Sequence, residues 1–446
     1  MANFYQLSTM IAHRAVMGAR NEMPLTMRIT RDWDNEFGQR GRKIGKIFYI
    51  RKENRYLTTL GPDITSALAD AAYDYTDPAT AALNLDQQPV IPLHFTSQDW
   101  TASVDDIDSR ITQPAVRQLA NVVERSVAGL YAYVGNCVGQ GAASVITGLT
   151  SNPTPGTALT AGGANTKPYR AFLYANALLH MEGCPVDNRK CVIDPYVQPE
   201  LLDELKGVFN PTEVIAKQYK KGRIGMQSGM EWAMSQNITG HNTGTAAGIA
   251  ATVKTAPANG ATSIETASWT VSSSNVLKKG DVISLASSTA ALSGGTQLVN
   301  PLSRVTAGSL RQFSATANVS ADALGDATIP ISPAIFWEGP YQNVDSRPAV
   351  GENVLFWGVN GTTYASKSGS LQSLVFHPSA FGIGFAELPL WDGLHKGSRA
   401  TDDETGVSVR CTADTDQRTD EVIWRLETWY GVVTIYPEFA CRVQTT

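Results

Sequence analysis

Charge is scarce in this chain of 446 residues: 17% are Asp, Glu, Lys or Arg, against 43% hydrophobic. A strong basic excess is missing too, because 36 Lys and Arg face 41 Asp and Glu, for a formal net charge of -5. That balance argues against a dedicated nucleic-acid binder, which neutralises phosphates with a cationic surplus. No run of 18 or more apolar residues occurs, so no transmembrane helix is expected. The N-terminus carries no charged segment followed by an apolar core, so no secretory signal is expected and the chain is read as made and used in a cytoplasm. Cysteine is sparse: Cys137, Cys184, Cys191, Cys411 and Cys441 are odd in number, scattered, and without a C-x-x-C pair. They read as small buried thiols in a reducing compartment.

Chemical motifs are equally scarce. There is no P-loop, no H-E-x-x-H and no G-x-S-x-G. Gly222, Gly225 and Gly229 have the wrong spacing for a dinucleotide fingerprint and read as a turn. Acidic clusters at 105–108 and 402–404 lie among polar residues, whereas acid/base work needs one carboxyl in a shielded pocket. His13, His94, His180, His241, His377 and His395 show no ligand spacing with one another or with the cysteines. No catalytic, cofactor-binding or metal-binding residue is assigned, and no cofactor is expected.

The length suffices for two or three packing units, and the hydrophobic share excludes wholesale disorder. Residues 1–20 read as an amphipathic helix with Leu7, Met10, Ile11 and Met17 on one side, ended by Pro24. A segment dense in basic residues follows: Arg40, Arg42, Lys43, Lys46, Arg51, Lys52 and Arg55. Its centre, 44–50, has β-type composition, and a basic two-stranded ribbon reaching outward as an arm fits it; so does a merely solvated face. Residues 88–95 form a strand candidate that two prolines demote to an edge. The clearest helix starts at Pro114, with Val116, Leu119, Val123, Val127, Leu130 and Val134 on one stripe. Helices at 167–181 and 199–209 flank a strand at 190–193, which indicates an α/β or α+β unit.

From about Asn242 charges become rare and Ser, Thr, Ala and Gly dominate. Short β-type runs at 268–271, 281–287 and 311–317 predict a small inserted all-β domain, a barrel or sandwich, rather than a low-complexity linker. Mixed character returns after Tyr341, with a strand at 371–376, a helix or turn from Pro378, and an aromatic-rich segment at 421–443. Pairing of that last segment with the strands near Cys191 would place the insertion within one domain.

Several linked stretches resemble one family. Tyr219 to Gly225, Gly229-Met230-Glu231 and Asn237 to Thr245 look like the opening of the insertion in phage coat proteins. Leu277 to Ile283, Arg311-Gln312-Phe313 and Ile331 to Ile335 resemble strands of that insert, and Tyr341 to Val344 the return. Leu374 to Phe381 and the closing run Arg425-Leu-Glu-Thr-Trp-Tyr-Gly-Val432 with Tyr436-Pro-Glu438 are similar to podovirus-type coat proteins. The shared order of these stretches identifies the chain as similar to the major capsid (coat) proteins of tailed bacteriophages.

The resemblance implies an α+β Hong Kong 97-type capsid fold with an inserted all-β, barrel-like domain. It places an N-terminal arm at 1–39, an extended loop at 40–86, and a peripheral domain at 87–134 with its spine helix at 114–134. An axial domain follows at 135–240 and 341–446, whose tail segments can return to the peripheral domain, with the insertion at 241–340. It implies no enzyme activity, a place in the virion with assembly in the host cytoplasm, and self-association into pentamers and hexamers of an icosahedral head. Scaffolding, portal and decoration proteins, and non-specific contact with packaged double-stranded DNA, are the further partners; no membrane is. Arg40, Arg42, Lys43, Lys46, Arg51 and Lys52 are the candidate subunit-interface residues, lying over an acidic neighbour. A tail-tube or decoration subunit is the alternative, and less so a hydrolase with a β binding module.

Overall fold

The structure is a computed structural model and describes residues 23–31, 46–56, 80–96, 113–139, 168–205, 224–245, 251–287, 295–356, 370–390, 396–401, 407–416, 418 and 421–445. The amphipathic helix expected at 1–20, and both acidic clusters, lie outside them. The chain divides into two compact units, 1–51 with 80–129 and 381–435, and 52–79 with 130–380 and 436–446.

In the first unit the helix Gln113–Ala128 carries Pro114 in its first turn, where a missing N–H costs nothing. Val116, Leu119, Val123 and Val127 are all buried, as the stripe predicts. The α-helix stops short of the expected Val134, because Gly129–Tyr133 tightens into a 3-10 turn. An antiparallel sheet runs in the order Lys396–Thr401, Ser408–Asp416, Glu421–Glu427, Val90–Thr96. Val90–Thr96 is the edge, as its prolines demand, with Pro92 opposite Arg425. Side chains alternate strictly: Ile91, Leu93, Trp424, Leu426, Cys411 and Ala413 share one face, and Trp424, Leu426, Cys411 and Ala413 are buried there.

Ile47–Arg51 pairs with Thr80–Asn84 as a two-stranded antiparallel ribbon. Ile50, Ala81 and Leu83 are buried, while Ile47, Tyr49 and Arg51 point the other way and are exposed. The ribbon backbone passes close to the strand Trp429–Thr434 of the same unit. A Cβ on Gly431 would stand 2.1 Å from the Asn84 carbonyl oxygen, so only glycine fits there.

In the second unit a mixed sheet runs Cys137–Gly139, Ala440–Thr445, Ser370–Phe376, Arg189–Ile193, Met230–Met234, Met226–Gln227. The C-terminal strand joins the Cys191 strand through Ser370–Phe376, which pairs with both. Helices Pro168–Met181 and Val197–Leu205 cover one face, where Phe172, Leu179 and Leu201 pack on Cys191, Val375 and Val443. Gly225 and Gly229 sit at φ +77° and +73° around the tight hairpin of Met226–Gln227 and Met230–Met234, the turn expected there.

The insertion is a closed barrel of Ala261–Ala267, Ala327–Ile335, Gln312–Ala315, Val282–Ala286, Asn353–Phe356 and Thr252–Val253. Its interior is apolar, with Ile264, Ile283, Leu285, Phe313, Ile329 and Val354 in one cluster. Two expectations differ. Residues 268–271 are not a strand, because Ser268 and Ser272 take φ of +67° and +54° and turn the chain so that Trp269 drops into the core. The last barrel strand lies at Asn353–Phe356, beyond the expected boundary at 340.

Candidate interaction surfaces and buried charge networks

Of the six basic residues singled out, Arg40, Arg42 and Lys43 lie outside the described residues. Lys46 and Arg51 belong to the first unit and are exposed at the two ends of the ribbon strand. Arg51 shares with Ile47 (47% exposed) and Tyr49 (62% exposed) a face that mixes apolar and cationic groups, and Lys46 stands just before the strand. Interface cores favour aromatic and aliphatic side chains with a charged rim, and this face has that composition.

Lys52 belongs to the second unit, where its surroundings are aromatic. Its Nζ lies 5.5 Å from the centroid of the Tyr436 ring. Burial pulls its ammonium below the ordinary lysine value, which Glu438 only partly offsets. Arg55 reaches Glu438 at 3.4 Å, and the Glu53 N–H donates to Tyr436 Oη at 2.7 Å. These contacts tie the segment after the ribbon to the Tyr436–Phe439 turn, whose two rings stack at 5.0 Å.

The polar groups held most firmly are ones that sequence reasoning did not single out. In the first unit Glu427 is wholly buried on the face of the sheet opposite Trp424 and Leu426. Its Oε1 accepts from Nε of Arg410 at 2.8 Å and from the same guanidinium's Nη2. Its Oε2 accepts from Arg425 Nε at 3.0 Å and Gln88 Nε2 at 2.8 Å. Arg425 and Glu427 stand two apart on one strand and Arg410 is opposite Glu427, so a period-2 reading of the closing run would have found them. Glu124, buried on the helix, accepts the Leu25 and Thr26 N–H groups at 2.7 and 3.0 Å and so anchors the turn Thr26–Arg28.

In the second unit a polar seam joins the barrel to the sheet. Arg311 pairs with Glu182, both at most 2% exposed. Cys137 N–H donates to Gln312 Oε1 at 2.8 Å, and Gln312 Nε2 donates back to Cys137 O at 3.2 Å. Ser314 Oγ donates to Ala132 O at 2.6 Å. His241 Nε2 stands 2.8 Å from Asp281 Oδ1 and its Nδ1 3.0 Å from Tyr131 Oη. A Cβ on Gly135 would be 2.8 Å from the Gln312 carbonyl oxygen, so the backbones meet directly.

All five cysteines are free and buried, and burial pushes the thiols of Cys137 and Cys184 up to about 11 and of Cys411 to about 12. Nucleophilic thiolates are low-pKa and accessible, which these are not. Among the described residues no group of three or more His, Cys, Asp or Glu is disposed to hold a metal, and no helix is long and apolar enough to cross a membrane.

A family model described as P22 coat protein, gene protein 5, matches residues 80–444, spanning parts of both units and the whole barrel. The chain belongs to the P22 coat protein family. As a member it is a phage major capsid protein that forms the head, here with an α+β architecture and an inserted barrel. None of the curated proteins matches it. Solved structures similar to this coat protein include one described as Mycobacterium phage Che8, at 11% identity and TM-score 0.45, covering 93% of this chain and 88% of that one. The capsid of Ralstonia phage GP4 is similar at 9% identity and TM-score 0.44, covering 95% and 91%. The virus-like particle from Pyrococcus furiosus is similar at 8% and 0.38, covering 97% and 98%.

Proposed function

We propose that this coat protein self-assembles into pentamers and hexamers of an icosahedral head that encloses double-stranded DNA, without enzymatic activity of its own. The observation that carries the reading is the family match over 80–444. Identical chains close into a finite shell through rotational symmetry. The subunit is made and assembled in the host cytoplasm, and scaffolding, portal and decoration proteins are its partners. DNA meets the inner surface without base-specific contacts, in keeping with the net charge of -5.

In the proposed domain plan an arm occupies 1–39 and an extended loop 40–86, and a peripheral domain comprises 87–129 with 381–435, a grouping supported by the compact unit that holds 80–129 and 381–435 together. The axial domain comprises 130–245, 370–380 and 436–446, and the insertion 251–356. The extended loop lies over an acidic region of a neighbouring subunit, with Arg40, Arg42, Lys43, Lys46, Arg51 and Lys52 facing it. Such charge pairing sets register and specificity more than raw affinity.

Negative-stain electron microscopy of the protein, expressed alone and with its neighbouring phage genes, tests the assembly reading. Closed shells or regular tubes support it; monodisperse monomer under both conditions overturns it. Charge reversal at Lys46 and Arg51 together is expected to reduce particle yield, and normal particles from that variant would remove these two residues from the interface.

A further inference from the structure

Arg442 is the one buried guanidinium of the barrel-to-sheet seam that lacks an oxygen partner. Its side chain is 0% exposed, and among the described residues Nε, Nη1 and Nη2 meet no oxygen acceptor, only the weakly accepting Cys137 sulfur. The Tyr131 ring lies beneath it, 5.7 Å from centroid to guanidinium. Cys137 is opposite on the parallel strand and Leu374 on the antiparallel one. The carboxylates of the seam are committed elsewhere. Glu182 holds Arg311, and Asp281 holds His241 and the Gly244 and Lys278 N–H groups. A ring face offsets part of the cost of burying a cation, but a buried charge without acceptors destabilises the arrangement that buries it.

The seam itself is made of directional polar bonds that water can replace. The apolar clusters on its two sides are separate: one belongs wholly to the barrel, the other to the sheet and its helices. Opening the seam therefore leaves both cores intact and lets the guanidinium reach water.

We propose that Arg442 keeps this seam poised, so that the inserted barrel detaches from the sheet as a folded body far more often than the barrel itself unfolds. Polar interfaces within one chain permit such motion where a shared apolar core forbids it. A head built from identical chains in unlike surroundings gains from a barrel that can be re-seated, but the opening is a property of the single chain and is tested there.

Native-state hydrogen exchange on the full-length, unassembled protein reads it. The Cys137 amide spans the seam through Gln312, whereas the amides of Val282–Ala286 report on the barrel ladder. The Cys137 amide is expected to exchange through an opening at least about tenfold more frequent than that of the barrel ladder. Arg442→Met, which keeps volume and removes the charge, is expected to slow Cys137 exchange about tenfold or more and to leave the barrel amides unchanged. Equal rates for seam and barrel in the unaltered protein overturn the inference. So does an Arg442→Met protein whose seam exchanges as fast as before or faster. If neither Arg442→Met nor Arg442→Leu folds, the charge is holding the fold together and the inference likewise fails.

Discussion

The inserted barrel and the four-stranded sheet of the first unit are both antiparallel, yet they secure their structure by opposite means. The barrel closes on itself, so no strand is left with an open edge, and its interior is filled by Ile264, Ile283, Phe313 and Ile329 without a charge among them. The sheet remains open, ends in a strand blunted by Pro92, and buries a carboxylate, Glu427, beneath two guanidiniums. A barrel core is held by contacts that need only shape and apolarity, which suits a stretch rich in Ser, Thr, Ala and Gly. A buried charge is held only while every partner is present, so the same number of atoms is far more specific and far less tolerant.

That contrast can be broken most forcefully inside the barrel. Phe313→Ala, removing a wholly buried ring, is expected to cost about 4 kcal/mol through lost transfer energy and the cavity left behind. Urea unfolding followed by tryptophan fluorescence measures it; a loss below about 1 kcal/mol would mean that the barrel collapses around the gap. In the sheet, Glu427→Gln is expected to cost about 3 kcal/mol, because Arg410 and Arg425 then lack their counter-charge. Adding Arg410→Met to it should recover part of that loss in the same assay, since the desolvated cation goes too, whereas no second change inside the barrel repairs Phe313→Ala.

The smallest effect concerns pH. Burial, the largest influence on Glu182, raises its carboxyl above the ordinary 4.5, and Arg311 offsets that only in part. The folded state therefore binds this proton more tightly than the unfolded chain. The stabilisation so gained is complete below 4.5 and is lost as pH rises through the raised folded value. Glu182→Gln is expected to flatten that part of the curve of urea midpoint against pH; an unchanged slope would assign it to other groups.

Much of the architecture was legible because it depends on local period. The stripe from Val116 to Val127 marks a helix, Pro92 marks an edge strand, and the loss of charge after Asn242 marks the insertion. The end of that insertion was missed because Asn353–Phe356 is a short strand whose partners, at Thr252–Val253 and Val282–Ala286, lie far back in the chain. Of the basic residues singled out, Lys46 and Arg51 are exposed, but the aromatic setting of Lys52 needs Tyr436, some 380 residues later, and no local pattern announces it. Glu182 and Arg311 are 129 residues apart and look like ordinary surface charges until the fold buries both.

The family, the α+β class, the helix from Pro114, the inserted barrel and the burial of the cysteines were legible along the chain before any contact was known. These follow from composition, period and the order of motifs along the chain, all of which exist before folding. The folded structure alone shows which charges are buried, which carboxylate meets which guanidinium, that Gly431 must yield to the Asn84 carbonyl, and that Arg442 is left without an oxygen acceptor. Burial and pairing are properties of the space between distant segments, and that space does not exist until the chain has folded.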